Sequence, residues 1–107
     1  MVKCLSMVSP KSGRAVANQY IIRTDNTIIF QSYTSTIAIM DKKTGALTLG
    51  VDFDYSRTTA KYLHQFIDRY CYHQITNKIK NAPGGSYTAK LRWCIAKGVI
   101  KYDGGLL

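Results

Sequence analysis

His64 and Asp68 stand four residues apart, the spacing at which two side chains meet on one face of a helix. An imidazole oriented by a carboxylate can move protons; the same pair also makes an ordinary surface contact. Cys71-x-His73 offers two soft metal ligands, with Cys94 a distant third, but this spacing matches no standard zinc module. Asp52-Phe53-Asp54 can ligate a cation or, ahead of a helix, cap it. Gly84-Gly85 precedes a helical segment whose first N–H groups can receive an anion, or it is a plain turn. Ser12-Gly13 lacks the strand-to-helix switch and the glycine–lysine pattern of a phosphate loop. From these residues the expectation is no catalytic centre, no metal and no cofactor.

Charge is the stronger signal. Formal net charge is +9 at pH 7, and all six acidic residues are aspartates. Between Asp68 and Asp103 there is no acid at all, while the interval holds seven Lys and Arg residues mixed with tyrosines and Trp93. Concentrated positive potential with interleaved aromatics attracts nucleic acid or an acidic protein surface. The candidate binding residues are Lys78, Lys80, Lys90, Arg92, Trp93, Lys97 and Lys101. Cations give affinity through phosphates, and an exposed Trp can stack on an unpaired base. The competing reading is a solvated basic face with Trp93 packed into the core.

The elements that must position these residues follow from periodicity. At 107 residues, the chain suits a single domain spanning 1–107, with a modest core. Val2 to Val8 reads as a strand, followed by a turn over Ser9-Pro10-Lys11-Ser12-Gly13. Gln19–Thr24 and Thr27–Tyr33 flank Asp25-Asn26, residues that tolerate positive φ. A two-residue hairpin there sets Ile22 opposite Ile29 and Ile21 opposite Phe30. Thr36–Met40 and Ala46–Leu49 continue the meander across a loop closed by a left-handed Gly45, with Ile37 and Ile39 on one face.

The second half reads as helical. Asp54 or Ser56 caps a helix to about Cys71, burying Thr59, Leu63, Phe66, Ile67 and Tyr70 and exposing Arg57, Lys61, His64, Gln65 and Asp68. Beyond Cys71 the apolar positions Tyr72, Ile75, Ile79 and Ala82 point elsewhere. A break near 71–73 followed by a short helix is therefore expected, one long helix being the alternative. A last helix starts near Ser86 or Thr88, buries Tyr87, Leu91, Cys94 and Ile95, and stops at Gly98. Val99–Tyr102 is a short strand, and residues 104–107 a tail. The fold class is α+β: an antiparallel meander of four to five strands against two to three helices, with a short C-terminal strand.

Ser12-Gly13-Arg14, Ala17-Asn18-Gln19-Tyr20-Ile21-Ile22, Phe30-Gln31-Ser32-Tyr33 and Ile37-Ala38 form part of a string. It continues with Leu47-Thr48-Leu49-Gly50, Asp52-Phe53-Asp54-Tyr55-Ser56, Thr58-Thr59 and Lys61-Tyr62-Leu63-His64-Gln65-Phe66. That string resembles a family of small uncharacterised proteins encoded by bacteriophages and mobile elements, over about half the chain. The resemblance carries no catalytic assignment. It implies a non-enzymatic accessory protein that meets host nucleic-acid machinery, some such proteins being inhibitors of host defences of the CRISPR kind. A basic chain cannot be an acidic mimic of DNA.

Together these readings give a non-catalytic protein binding host nucleic acid or a nucleoprotein, possible counter-defence activity included. Direct nucleic-acid binding without inhibition, and an assembly role as a homo-oligomer, are the alternatives. No apolar run approaches the ~20 residues of a membrane span, and the first residues lack the apolar core of a signal peptide. The expectation is therefore no membrane partner and a location in the cytoplasm of the host.

Overall fold

A computed structural model describes residues 2–9 and 11–106. Pro10 and Leu107, assigned above to a turn and a tail, lie outside the described residues. Six strands form one sheet in chain order: β1 (Lys3–Val8), β2 (Ala15–Arg23), β3 (Thr27–Ser32), β4 (Ser35–Asp41), β5 (Leu47–Gly50) and β6 (Lys101–Asp103). Three helices, α1 (Arg57–Tyr70), α2 (His73–Lys80) and α3 (Tyr87–Ala96), lie between β5 and β6. The fold is α+β, with one strand more than the meander alone. The first five strands pair antiparallel; β6 runs parallel to β5, a pairing that needs a long crossover such as the three helices between them.

The β2–β3 hairpin has the register read from sequence, Ile22 opposite Ile29 and Ile21 opposite Phe30. Its turn differs in mechanism. Asp25 and Asn26 do not adopt positive φ; among described non-glycine residues only Asn18 and Tyr33 do. The turn is closed instead by Thr24, whose backbone N–H donates to the Thr27 carbonyl at 2.9 Å and whose hydroxyl meets that of Thr27 at 2.7 Å. Gly45 does take the left-handed conformation (φ 75°), and the Tyr72 ring lies where a Cβ would be, 2.6 Å away.

One face assignment is corrected. Ile37 and Ile39 do not share a face, because a bulge opposite Phe30 and Gln31 inserts one residue into β4. The bulge sends both Ile37 and Ala38 into the core and leaves Ile39 half-buried on the other side.

Core packing follows the amphipathic stripe of α1. Leu63, Phe66 and Ile67 are fully buried, and Phe66 stacks on Phe30 of β3 with ring centroids 5.8 Å apart. Tyr62 is buried too, although the stripe omitted it, and Tyr70 is only half-buried. Ser56 caps α1, its hydroxyl accepting the Thr59 N–H at 3.1 Å. The chain breaks at Cys71, in extended conformation, so that α2 can turn Ile79 and Ala82 inward; one straight helix would have exposed them. Ser86 caps α3, and Gly98 ends it. Gly98 N–H donates to Ile95 and Val99 N–H to Cys94, which satisfies the last carbonyls and aims the chain into β6. No described helix is long and apolar enough to cross a membrane.

Candidate nucleic-acid interface

The seven basic-surface residues named from sequence do not form one uniform patch. Lys78 and Lys80 are exposed on the last turn of α2, and Lys97 is exposed at the end of α3. Lys97 holds its ammonium 5.8 Å from the Trp93 ring centroid. Trp93 is 37% exposed and lies outside the buried cluster, so it is not a core residue.

Two of the seven have structural partners. Lys90 donates to the carbonyl oxygen of Lys80 at 2.9 Å. The Arg92 guanidinium pairs with the Asp54 carboxylate, tying α3 to the loop before α1. Arg92 thus presents less net charge than sequence reasoning gave it. Lys101 is set apart: its register partner in β5 is Thr48, and both point to the sheet face away from the core. What α2 and α3 bring together is Lys80 with Lys90 at one hollow, and α3 by itself sets Lys97 beside Trp93; Lys78 is exposed on the same last turn of α2 as Lys80.

Between the three helices lies a hollow of about 600 Å³. Lys80 and Lys90 supply its cations, Asn77 and Ser86 its polar groups, and His64 with Asp68 its far wall. Gly84 makes the approach possible. Its φ of 145° suits glycine alone, and a Cβ there would lie 3.0 Å from both the Ala89 Cβ and the Lys90 nitrogen.

Sequence reasoning missed Tyr87 as part of this site. Its ring stacks on His64, centroids 3.6 Å apart and planes 10° off parallel. The two residues are far apart in sequence, and only the break at Cys71 folds α3 back over the polar face of α1. The Tyr87 hydroxyl is buried without a hydrogen-bond partner among the described residues. Burial raises its pKa well above that of a normal phenol, and Asp68, Cys71 and Cys94 add to the shift. Burial likewise pushes the Cys71 thiol up to about 12, with Asp68 adding. These groups stay protonated at neutral pH.

The His64–Asp68 contact exists, Nε2 to Oδ2 at 3.2 Å, with side chains 48% and 62% exposed. Asp54 is engaged by Arg92, and the Asp52 carboxylate accepts the Ser35 hydroxyl at 3.0 Å. Among the described residues no cluster of three or more His, Cys or Asp side chains is placed to hold a metal ion.

A second hollow, about 660 Å³, opens at the start of α1 between Tyr33 and Tyr55. Its hydroxyls largely satisfy one another, Ser56 with Thr59 and Ser35 with Asp52. Its only formal charge is the Asp52 carboxylate, so it does not suit a polyanion.

Residues 3–82 match the model of a family of unknown function (DUF8033). The chain belongs to that family. The DUF8033 match spans β1 to β5, α1 and α2, and stops before the Gly84 turn. The interhelical hollow is thus built half from the DUF8033 segment and half from α3 beyond it. No curated protein and no solved structure matches the chain.

Proposed function

We propose that this protein is a non-catalytic binder of nucleic acid, bare or within a nucleoprotein, and that it docks through α2 and α3. The observation that carries the reading is Lys80 and Lys90 facing the interhelical hollow, with Lys97 beside Trp93 on α3 and Lys78 exposed on α2, in a segment with no acidic residue from Arg69 to Tyr102. Lysines at that density hold phosphates by displacing condensed counterions, and a half-exposed indole beside them offers a base a stacking surface.

Catalysis fits the hollow less well. It offers one imidazole, already facing Asp68 on one edge and Tyr87 on its plane. The neighbouring phenol is turned inward and is too weak an acid to exchange a proton near neutral pH. The resemblance to phage and mobile-element proteins extends the proposal: the target is host nucleic acid or nucleoprotein in the bacterial cytoplasm, and inhibition of a host defence is one form of the activity.

The test is an electrophoretic mobility shift with labelled RNA, single-stranded DNA and duplex DNA. The variant carries Lys78→Gln, Lys80→Gln and Lys97→Gln, which leaves the Lys90 bond to the backbone in place. Retardation by the native chain that the variant loses, at an unchanged circular dichroism spectrum, supports the reading. Equal retardation by both refutes it.

A further inference from the structure

Strand alternation splits the sheet into two unlike faces. The register Leu5–Ile21–Phe30–Ala38–Leu49–Tyr102 runs under the helices. The neighbouring row, Cys4–Ile22–Ile29–Ile39–Thr48–Lys101, lies on the open side, as does Ser6–Tyr20–Gln31–Thr36. Of the chain's 15 Lys and Arg residues, those two rows hold only Lys101, on the border strand. Asp41 marks the end of β4. Ile22, Ile29 and Ile39 stand side by side across the centre, each only half-buried. A shallow hollow of about 470 Å³ beside them is lined by Tyr20 and Gln31, with Tyr33 61% exposed at its edge.

We propose that this open face is where the protein associates with a second copy of itself, two sheets packing face to face about a two-fold axis. Charge selects the occupant. Each copy carries +9, so two copies can approach closely only where cations are sparse, and the two rows of this face, with Lys101 alone at their border, meet that condition. A nucleic acid or an acidic partner would find no central cation to hold it. A two-fold contact must be self-complementary, and an apolar row through the middle of the patch, with polar Thr and Gln around it, meets its own image well.

Size agrees. Six strands spaced about 4.8 Å apart and about 20 Å long give a face of roughly 480 Å² in flat projection. Side-chain relief adds to this, which brings it to the scale of the ~800 Å² per partner of a standard interface. The molecule measures 33 × 30 × 26 Å, so a face of that projected size takes up about half of one side. Because α2 and α3 lie behind the sheet, such a dimer turns its two basic surfaces outward and keeps them far apart.

The experiment is sedimentation velocity on the nuclease-treated full chain, from low micromolar to millimolar concentration, with enough salt to screen charge. The expected result is a species of twice the chain mass that dissociates on dilution. Ile29→Lys sets two ammonium groups against each other at the centre and should leave only the single-chain mass, with the far-ultraviolet spectrum unchanged. Should that variant unfold, Ile39→Thr, which keeps a β-branched side chain, should still weaken the dimer by about tenfold or more. A native chain that stays at its single mass throughout overturns the proposal. So does a folded Ile29→Lys variant that remains dimeric, or dissociation by Lys78→Gln with Lys97→Gln, which would move the contact to the helices.

Discussion

The Lys90 ammonium holds the end of one helix from the flank of the next, donating to the carbonyl oxygen of Lys80 at 2.9 Å. That carbonyl lies at the negative end of the α2 dipole, where a cation is favoured. Gly84 lets the intervening turn close tightly enough for the bond to form. One cation of the basic surface therefore also joins α2 to α3.

Lys90→Ala should consequently cost stability as well as charge. Losing a charge-assisted bond at a partly exposed site predicts a loss of about 0.5–1.5 kcal/mol, seen as a lower urea midpoint. Lys78→Ala, which has no such bond, should leave the midpoint nearly unchanged. Equal midpoints for the two variants would contradict the helix-joining role.

The core stripe gives a larger effect. Phe66 is fully buried against Phe30, and Leu63 beside it is equally enclosed. Phe66→Ala or Leu63→Ala should cost roughly 2–5 kcal/mol, a large share of the ~5–15 kcal/mol that holds a typical domain. Denaturant unfolding monitored by circular dichroism measures it; an unchanged midpoint for either variant would misplace the core.

Much of the fold was legible because local patterns carried it. The alternating runs gave the β2–β3 register, the wheel of α1 gave its buried face, and the rotated apolar positions after Cys71 gave the break before α2. What escaped depended on contacts distant in sequence. The β4 bulge arises from pairing with Phe30 and Gln31, so the alternation of Ile37 and Ile39 misled. The Asp25-Asn26 turn was placed correctly for the wrong reason, since the Thr24–Thr27 hydroxyl pair closes it. At the candidate site, composition showed where the charge lies. It could not show that Asp54 engages Arg92, that Lys101 lies on the opposite side of the sheet, or that Tyr87 covers His64.

The Cys71 thiol makes a prediction about alkaline stability. Its folded value, about 12, stands above the 9.0 of a free thiol, raised by burial and by Asp68. Below 9.0 both states keep the proton and stability is unaffected. Between 9.0 and about 12 the unfolded thiol ionises while the folded one does not, so unfolding releases a proton and stability falls as pH rises. Cys71→Ala should flatten this decline by up to about 1 kcal/mol per pH unit, measured by urea unfolding across the window. A parallel decline in the variant would mean the thiol is not shielded.

The salt dependence of binding measures phosphate contact by α2 and α3 most directly. Fluorescence anisotropy with a labelled single-stranded oligonucleotide, from about 50 to about 300 mM salt, gives the slope of log affinity against log salt. Four lysine contacts predict a slope near −3, and the Lys78→Gln, Lys80→Gln, Lys97→Gln variant should bring it to about −1 with weaker binding throughout. Trp93→Ala should weaken single-strand binding further while leaving the slope alone. A salt-independent affinity, or the same slope in native chain and variant, would contradict the basic helical surface as the binding site.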